Sequence, residues 1–166
     1  MKTIICEKLP RIIKSKKKLE KELQVKITNR GKEVFVRGNP ENEYITEKVI
    51  DALNFGFSFQ TAMLIKQEDF ILEIINIKEH TKRKDLERIR ARIIGKKGKT
   101  LQTLYQLTKS HFEMKDNFVG IVGHPEYLEK AQEAIIAIIK GSKQSNIYNF
   151  LEKNQARPIS DLGLKE

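Results

Sequence analysis

Apolar and polar positions alternate along the chain with two different periods, and the order of those periods recurs. Ile71-Leu72-Glu73-Ile74-Ile75-Asn76-Ile77 is a β-branched run that predicts a strand. Leu86, Ile89 and Ile93 then recur at helical spacing over 86–94, and Leu101, Leu104, Tyr105 and Thr108 share one side of a helix over 100–109. Ser110 to Lys115 reads as a strand, Val119 and Ile121 alternate as a half-buried strand does, and Leu128, Ala131, Ile135 and Ile138 line a closing helix. The order β-α-α-β-β-α predicts a three-stranded antiparallel sheet with helices on one face, an α+β module.

The chain repeats this phrase. A shift of 85 positions lays Val34-Phe35-Val36-Arg37-Gly38-Asn39-Pro40-Glu41 on Val119-Gly120-Ile121-Val122-Gly123-His124-Pro125-Glu126, with Ile50, Ala52 and Leu53 falling on Ile135, Ala137 and Ile138. Gly closes each strand, and Pro at a helix start gives up a donor that would have no partner there. In the first copy, strands at Ile4–Cys6, Val25–Thr28 and Glu33–Arg37 and helices near Ser15–Leu23 and over Glu41–Leu53 give the same plan minus one helix. The expected organisation is a degenerate module over 1–56, a connector over 57–69, a full module over 70–141, and a C-terminal helix with Ile147, Phe150 and Leu151 followed by a tail, 142–166. The connector is apolar rather than rich in Gly and Ser, which predicts packing and a fixed relation between the modules. From about Arg157 the tail reads as frayed.

Charge changes the picture by where it sits. Lys and Arg number 32 against 22 Asp and Glu, a net charge of +10. Residues 1–32 hold 11 basic and 3 acidic side chains and residues 82–99 hold 9 and 2, with an acidic stretch between them. Two separated basic islands fit two surfaces that face a polyanion, because Lys and Arg neutralising phosphates dominate nucleic-acid affinity. Other chemistries find little support. Cys6 has no disulfide or metal partner, which suits a reducing, cytoplasmic setting, and the short apolar start and broken apolar runs exclude a signal peptide and a membrane span. His80, His111 and His124 share no ligand spacing, and no nucleophile–base pair or elbow motif appears, so neither a metal, a cofactor nor catalysis is expected. Tyr105 and Phe112 could stack on bases, but their inward helix and strand positions predict core packing. His124 reads as a solvated turn residue.

The stretch Ile93-Ile94-Gly95-Lys96-Lys97-Gly98-Lys99-Thr100 carries the candidate chemistry. Two glycines bracketing two residues let one helix stop and the next begin while the backbone stays open to a ligand. The second helix then offers free N–H groups and its positive dipole end to phosphate oxygens, with Lys96, Lys97 and Lys99 beside it. A P-loop is excluded, because Ile93 stands where its first glycine must be. The arrangement resembles the GxxG loop with which a KH domain clamps the backbone of about four nucleotides of single-stranded RNA.

The run from Leu86 to Thr100, the phrase Gly123-His124-Pro125-Glu126, the ending Ile147-Tyr148-Asn149-Phe150-Leu151-Glu152 and the junction Gly56-Phe57-Ser58 with Ala62 resemble a known family. They are similar to the archaeal and eukaryotic pre-ribosomal-RNA-processing KH proteins, the "partner of Nob" family, over about Leu9 to Asn154. The resemblance implies two type I KH-like modules, binding near the 3′ end of small-subunit rRNA in the pre-ribosomal small subunit, and association with the endonuclease that trims it. It implies that Gly95, Lys96, Lys97 and Gly98 touch RNA backbone, with Arg90, Arg92, Lys99 and Thr100 nearby. Ile94 would form one groove wall, and the strand around His111 to Met114 would read base edges. The first module departs from the pattern: Pro10-Arg11-Ile12-Ile13, or Lys14-Ser15-Lys16-Lys17 in the other alignment, stands where a GxxG loop belongs. Lys14, Lys16, Lys17, Lys18 and Lys21 leave open either a weaker electrostatic contact to RNA or a purely architectural role. A general RNA-binding cofactor and a protein-interaction scaffold are the alternatives for the whole chain.

Overall fold

In the first half, strand pairing follows the alternation of Val34 and Val36. The computed structural model describes residues 1–154; there β1 (Lys2–Ile5), β2 (Lys26–Arg30) and β3 (Glu33–Arg37) form an antiparallel sheet in the order β1-β3-β2. Ile4 lies opposite Val34, and Ile27 opposite Val36, so these four side chains share one face and all are buried. Helices α1 (Leu9–Leu23) and α2 (Pro40–Phe55) cover that face with Ile12, Leu19, Val49, Ile50 and Leu53. Helix α1 starts six residues before the expected Ser15. Pro10 sits in its first turn, where no N–H is required, and Ile12 is fully buried.

The second half has the full β-α-α-β-β-α order: β4 (Ile71–Asn76), α4 (Leu86–Ile94), α5 (Lys99–Thr108), β5 (His111–Lys115), β6 (Phe118–Gly123) and α6 (Pro125–Ile139). Its antiparallel sheet runs β4-β6-β5, the same arrangement as the first, with β5 at an edge. Ile89, Ile93, Leu104, Ile135 and Ile138 pack on Val119 and Ile121, and helix α7 (Gln144–Lys153) adds Ile147 and Leu151. The expected frayed tail from Arg157 lies outside the described residues. The repeated Gly-x-Pro-Glu phrase is a helix start in both copies. Asn39 Oδ1 accepts from the Asn42 amide at 2.8 Å before α2, and His124 Nδ1 accepts from the Glu126 amide at 3.1 Å before α6. His124 is therefore a helix cap, not a merely solvated turn residue.

Strand β6 corrects the half-buried reading. Residues Val119 through Gly123 are all buried, because the second sheet is covered on both faces. Its helices lie on one side, while Val122 on the other joins the core of the first half. Gly120 is the tightest point of that contact: a Cβ there would come within 2.6 Å of the Phe55 ring and 2.9 Å of the Phe57 ring. The connector is itself a helix, α3 (Phe59–Gln67), whose Ala62, Met63 and Ile65 are buried in the first core. Ser58 caps it, its Oγ accepting from the Thr61 amide at 3.1 Å.

Candidate nucleic-acid interface

Helix α4 ends where the last turn of buried isoleucines meets Gly95. Gly95 takes φ +78°, and a Cβ there would lie 2.1 Å from Thr100 Oγ1 and 2.6 Å from the Thr100 amide, so only glycine lets the loop fold back this closely. The chain makes a single 3-10 turn, the Gly98 amide donating to the Gly95 carbonyl at 3.2 Å, with Lys97 (φ 56°) and Gly98 (φ 76°) both left-handed. Helix α5 starts at once, the Lys99 amide donating to the Lys96 carbonyl, and its positive dipole end lies at the turn. Lys96, Lys97 and Lys99 are exposed around this end, and Ile94, 36% exposed, is the last apolar side chain before it. Three ammonium groups beside a helix N-terminus give this end of the module a strongly positive surface.

Three of the residues expected near the ligand have other work. Thr100 is 3% exposed, and its Oγ1 accepts from Gln144 Nε2 on α7 at 3.0 Å, so it braces the loop from beneath. Arg92 donates to the Ile138 carbonyl at 2.9 Å and the Ser142 carbonyl at 2.7 Å, closing the C-terminal end of α6. Arg90 donates to Asn117 Oδ1 in the β5–β6 turn. Positions 90 and 92 stand about 200° apart around a helix, so the two guanidinium groups leave in different directions.

Beside the loop, the outer side of α5 and the edge strand β5 enclose an open cavity of about 320 Å³ lined by Leu101, Gln102, Tyr105, His111 and Glu113. Tyr105 is 44% exposed here rather than buried in the core, its ring 4.9 Å from that of His111. Phe112 packs partly against the second core, as expected, and also lines this cavity. Burial holds His111 below the usual imidazole range, so the ring is neutral at pH 7. Burial raises the Glu113 carboxyl, and the charges of Arg11 and Lys8 oppose it. The connector supplies the remaining wall, Phe57, Ser58 and Thr61, which no local signal in the sequence connects to α5.

On the first module, Lys14, Lys17, Lys18 and Lys21 are exposed along the outer face of α1, and Lys16 is half-buried. Cys6 is fully buried, and burial together with Asp51 pushes its thiol up to about 11, which leaves it unreactive. Among the described residues no cluster of His, Cys, Asp and Glu could hold a metal, and no helix is long and apolar enough to cross a membrane.

Residues 71–156 match the family model for the second KH domain of PNO1, a eukaryotic type KH-domain (KH-domain type I). The chain belongs to the PNO1 family of KH proteins. Its relatives include a KH domain-containing protein of Methanocaldococcus jannaschii, 28% identical over 149 residues that cover 86% of this chain and 66% of that protein. Dim2p of Pyrococcus horikoshii has a crystal structure that superposes with a TM-score of 0.84 at 28% identity, covering 92% of this chain and 98% of that one. A second structure from the same organism, described as an a/eIF2alpha-aDim2p-rRNA complex, contains a chain matching at TM-score 0.83 and 28% identity over 92% of both chains. This PNO1-family chain spans 52% to 66% of the length of several curated relatives. The α+β fold with two three-stranded antiparallel sheets is that of the Dim2p neighbours.

Proposed function

We propose that this protein binds single-stranded RNA during assembly of the small ribosomal subunit, clamping the 3′ region of its rRNA and positioning the factors that process it. The carrying observation is the Gly95–Gly98 turn, whose two positive-φ glycines and exposed Lys96, Lys97 and Lys99 stand at the N-terminal end of α5. In this reading Gly95, Lys96, Lys97, Gly98 and Lys99 grip the backbone, Ile94 borders the bases, Thr100 braces the loop, and Arg90 and Arg92 tie α4 to the β5–β6 turn and the end of α6. The exposed lysines of α1 add an electrostatic contact from a first module, 1–56, that has no clamp of its own. The names of the relatives support the process: one neighbour is described in complex with rRNA, and others are called pre-rRNA-processing proteins. The protein performs no chemistry itself, works in the cytoplasm and hands the strand to a separate endonuclease.

Fluorescence anisotropy with a labelled strand matching the host's small-subunit rRNA 3′ end, against a scrambled strand, tests this. Lys96→Asp/Lys97→Asp keeps both glycines, and Asp tolerates the left-handed backbone at position 97. The variant should bind the rRNA strand about tenfold or more weakly and with a shallower salt dependence. Equal binding of both strands by the wild-type protein would reduce the reading to a general RNA-binding cofactor. Undiminished binding by the variant would leave a protein-interaction scaffold.

A further inference from the structure

Strands β4 and β5 are the two edges of the second sheet, set about 9–10 Å apart by β6 between them. The Ile77 amide donates to the Asn117 carbonyl at 2.9 Å, so antiparallel alternation has Ile75 and Glu73 bonding to β6 while Leu72 and Ile74 turn their N–H and C=O groups away from it. Among the described residues no strand pairs with that edge. Edge strands are ordinarily guarded by charge, as β2 is by Lys26 and Arg30 and β5 by Glu113 and Lys115. β4 has four aliphatic side chains and one charge, and Ile74 is 49% exposed. A cavity of about 360 Å³ opens beside Leu72 and Ile74, lined also by Phe55, Lys48, Asp51 and Lys115. Phe118, 40% exposed, lies on the same face of the sheet, two residues from the Gly120 that stands opposite Ile74.

The surroundings are acidic. Residues 33–81 hold 9 acidic and 4 basic side chains in a chain of net charge +10. Glu47 and Asp51 stand one turn apart on α2, Glu68 and Asp69 precede β4, and Glu73 lies within it. Both cavity lysines are engaged: Lys115 pairs with Glu7 at 3.5 Å, and Lys48 lies 5.4 Å over the Tyr44 ring. Burial raises the Asp51 carboxyl, Lys48 opposes the rise and Glu47 adds to it. Among the described residues no cation closes an ion pair with Asp51.

We propose that β4 is a protein-docking edge: an extended, basic segment of a partner protein adds a strand to it, pairs with the backbone of Leu72 and Ile74, sets an apolar side chain in the cavity and places a lysine or arginine beside Asp51. Strand addition draws affinity from the main chain and specificity from such a pocket. The carboxylates repel phosphate, so this face suits a basic protein and not more RNA. Twofold pairing of two β4 edges would set the same carboxylates against each other, which disfavours a second copy. Docking at β4 needs nothing from the Gly95–Gly98 turn and holds whether or not that turn clamps RNA.

The full chain is titrated with a short labelled peptide of alternating valine and lysine, its valine–glutamate counterpart, and a version N-methylated at alternate residues, which cannot pair with a strand. Nitrogen-15 NMR follows the amides. The lysine peptide should shift Leu72 and Ile74 saturably and slow their exchange; the other two should bind about tenfold more weakly or not at all. Ile74→Lys guards the edge at an exposed position and should lower affinity for the lysine peptide about tenfold. Asp51→Asn should lower it about threefold. Circular dichroism confirms that both variants fold, and both should bind the rRNA strand as the wild type does. Equal binding of the three peptides, or shifts confined to other strands, would overturn the proposal. So would a concentration-dependent dimer in light scattering that Ile74→Lys abolishes, which gives the edge to a second copy, or shifts at Leu72 and Ile74 on adding the rRNA strand, which give it to RNA.

Discussion

Gly95 and Gly98 look interchangeable in a two-glycine motif, yet their surroundings differ. A Cβ on Gly95 collides with the Thr100 backbone and hydroxyl, whereas a Cβ on Gly98 meets nothing within 4 Å and carries only the cost of φ +76°. Gly98→Ala should therefore lower stability by about 1 kcal/mol, and Gly95→Ala by more, since the loop must open and Thr100 must leave Gln144. Urea unfolding of the two variants measures the difference, and equal losses would contradict this account of the turn. At this scale the residue types of the Gly95–Gly98 turn were legible, because glycine and lysine announce backbone freedom and charge. The directions of Arg90 and Arg92 were not. Each finds a carbonyl or amide far along the chain, and a count of basic residues cannot separate a cation that faces solvent from one that closes a neighbouring helix.

Elements were read best where a short phrase does its own physical work. The Gly-x-Pro-Glu repeat starts a helix in both halves because the cap accepts from one orphan N–H, the proline removes another, and the first-turn acid favours the positive helix end. Asn39→Ala should cost about 1 kcal/mol in thermal or urea unfolding, with Asn39→Asp near neutral, because aspartate keeps the accepting oxygen. Helix α3 was missed as a helix, although Ser58 before Phe59 was an available start signal. Nine residues carry too little periodicity to outweigh an apolar run that reads equally well as a packed linker. Tyr105 was misplaced for a related reason. It lies next to Leu104 on the helix, and one step of 100° separates a fully buried position from one that is 44% exposed.

At the scale of the whole molecule, the two halves share a wall. Gly120→Ala adds one methyl where the Phe55 and Phe57 rings already touch the strand, so it should cost about 1–3 kcal/mol as overpacking. The loss should appear in a single urea transition; a variant that unfolds in two separate steps would show that the halves are independent. That contact explains why β6 is apolar at every position instead of alternating, since a strand buried on both faces has no solvent side. The amino-acid sequence by itself determined the α+β class, the repeat, the element order, the missing helix and missing GxxG turn of the first module, and the glycine–lysine turn. Each of these follows from interactions between residues close along the chain, which spacing records. Only the tertiary structure decided that Thr100 braces the turn while Arg92 closes the end of α6, that Tyr105 faces an open cavity, and that residues near 58 wall a groove near 105. Those outcomes depend on which distant surfaces meet, and the energy of such a meeting is not carried in the spacing of either segment alone.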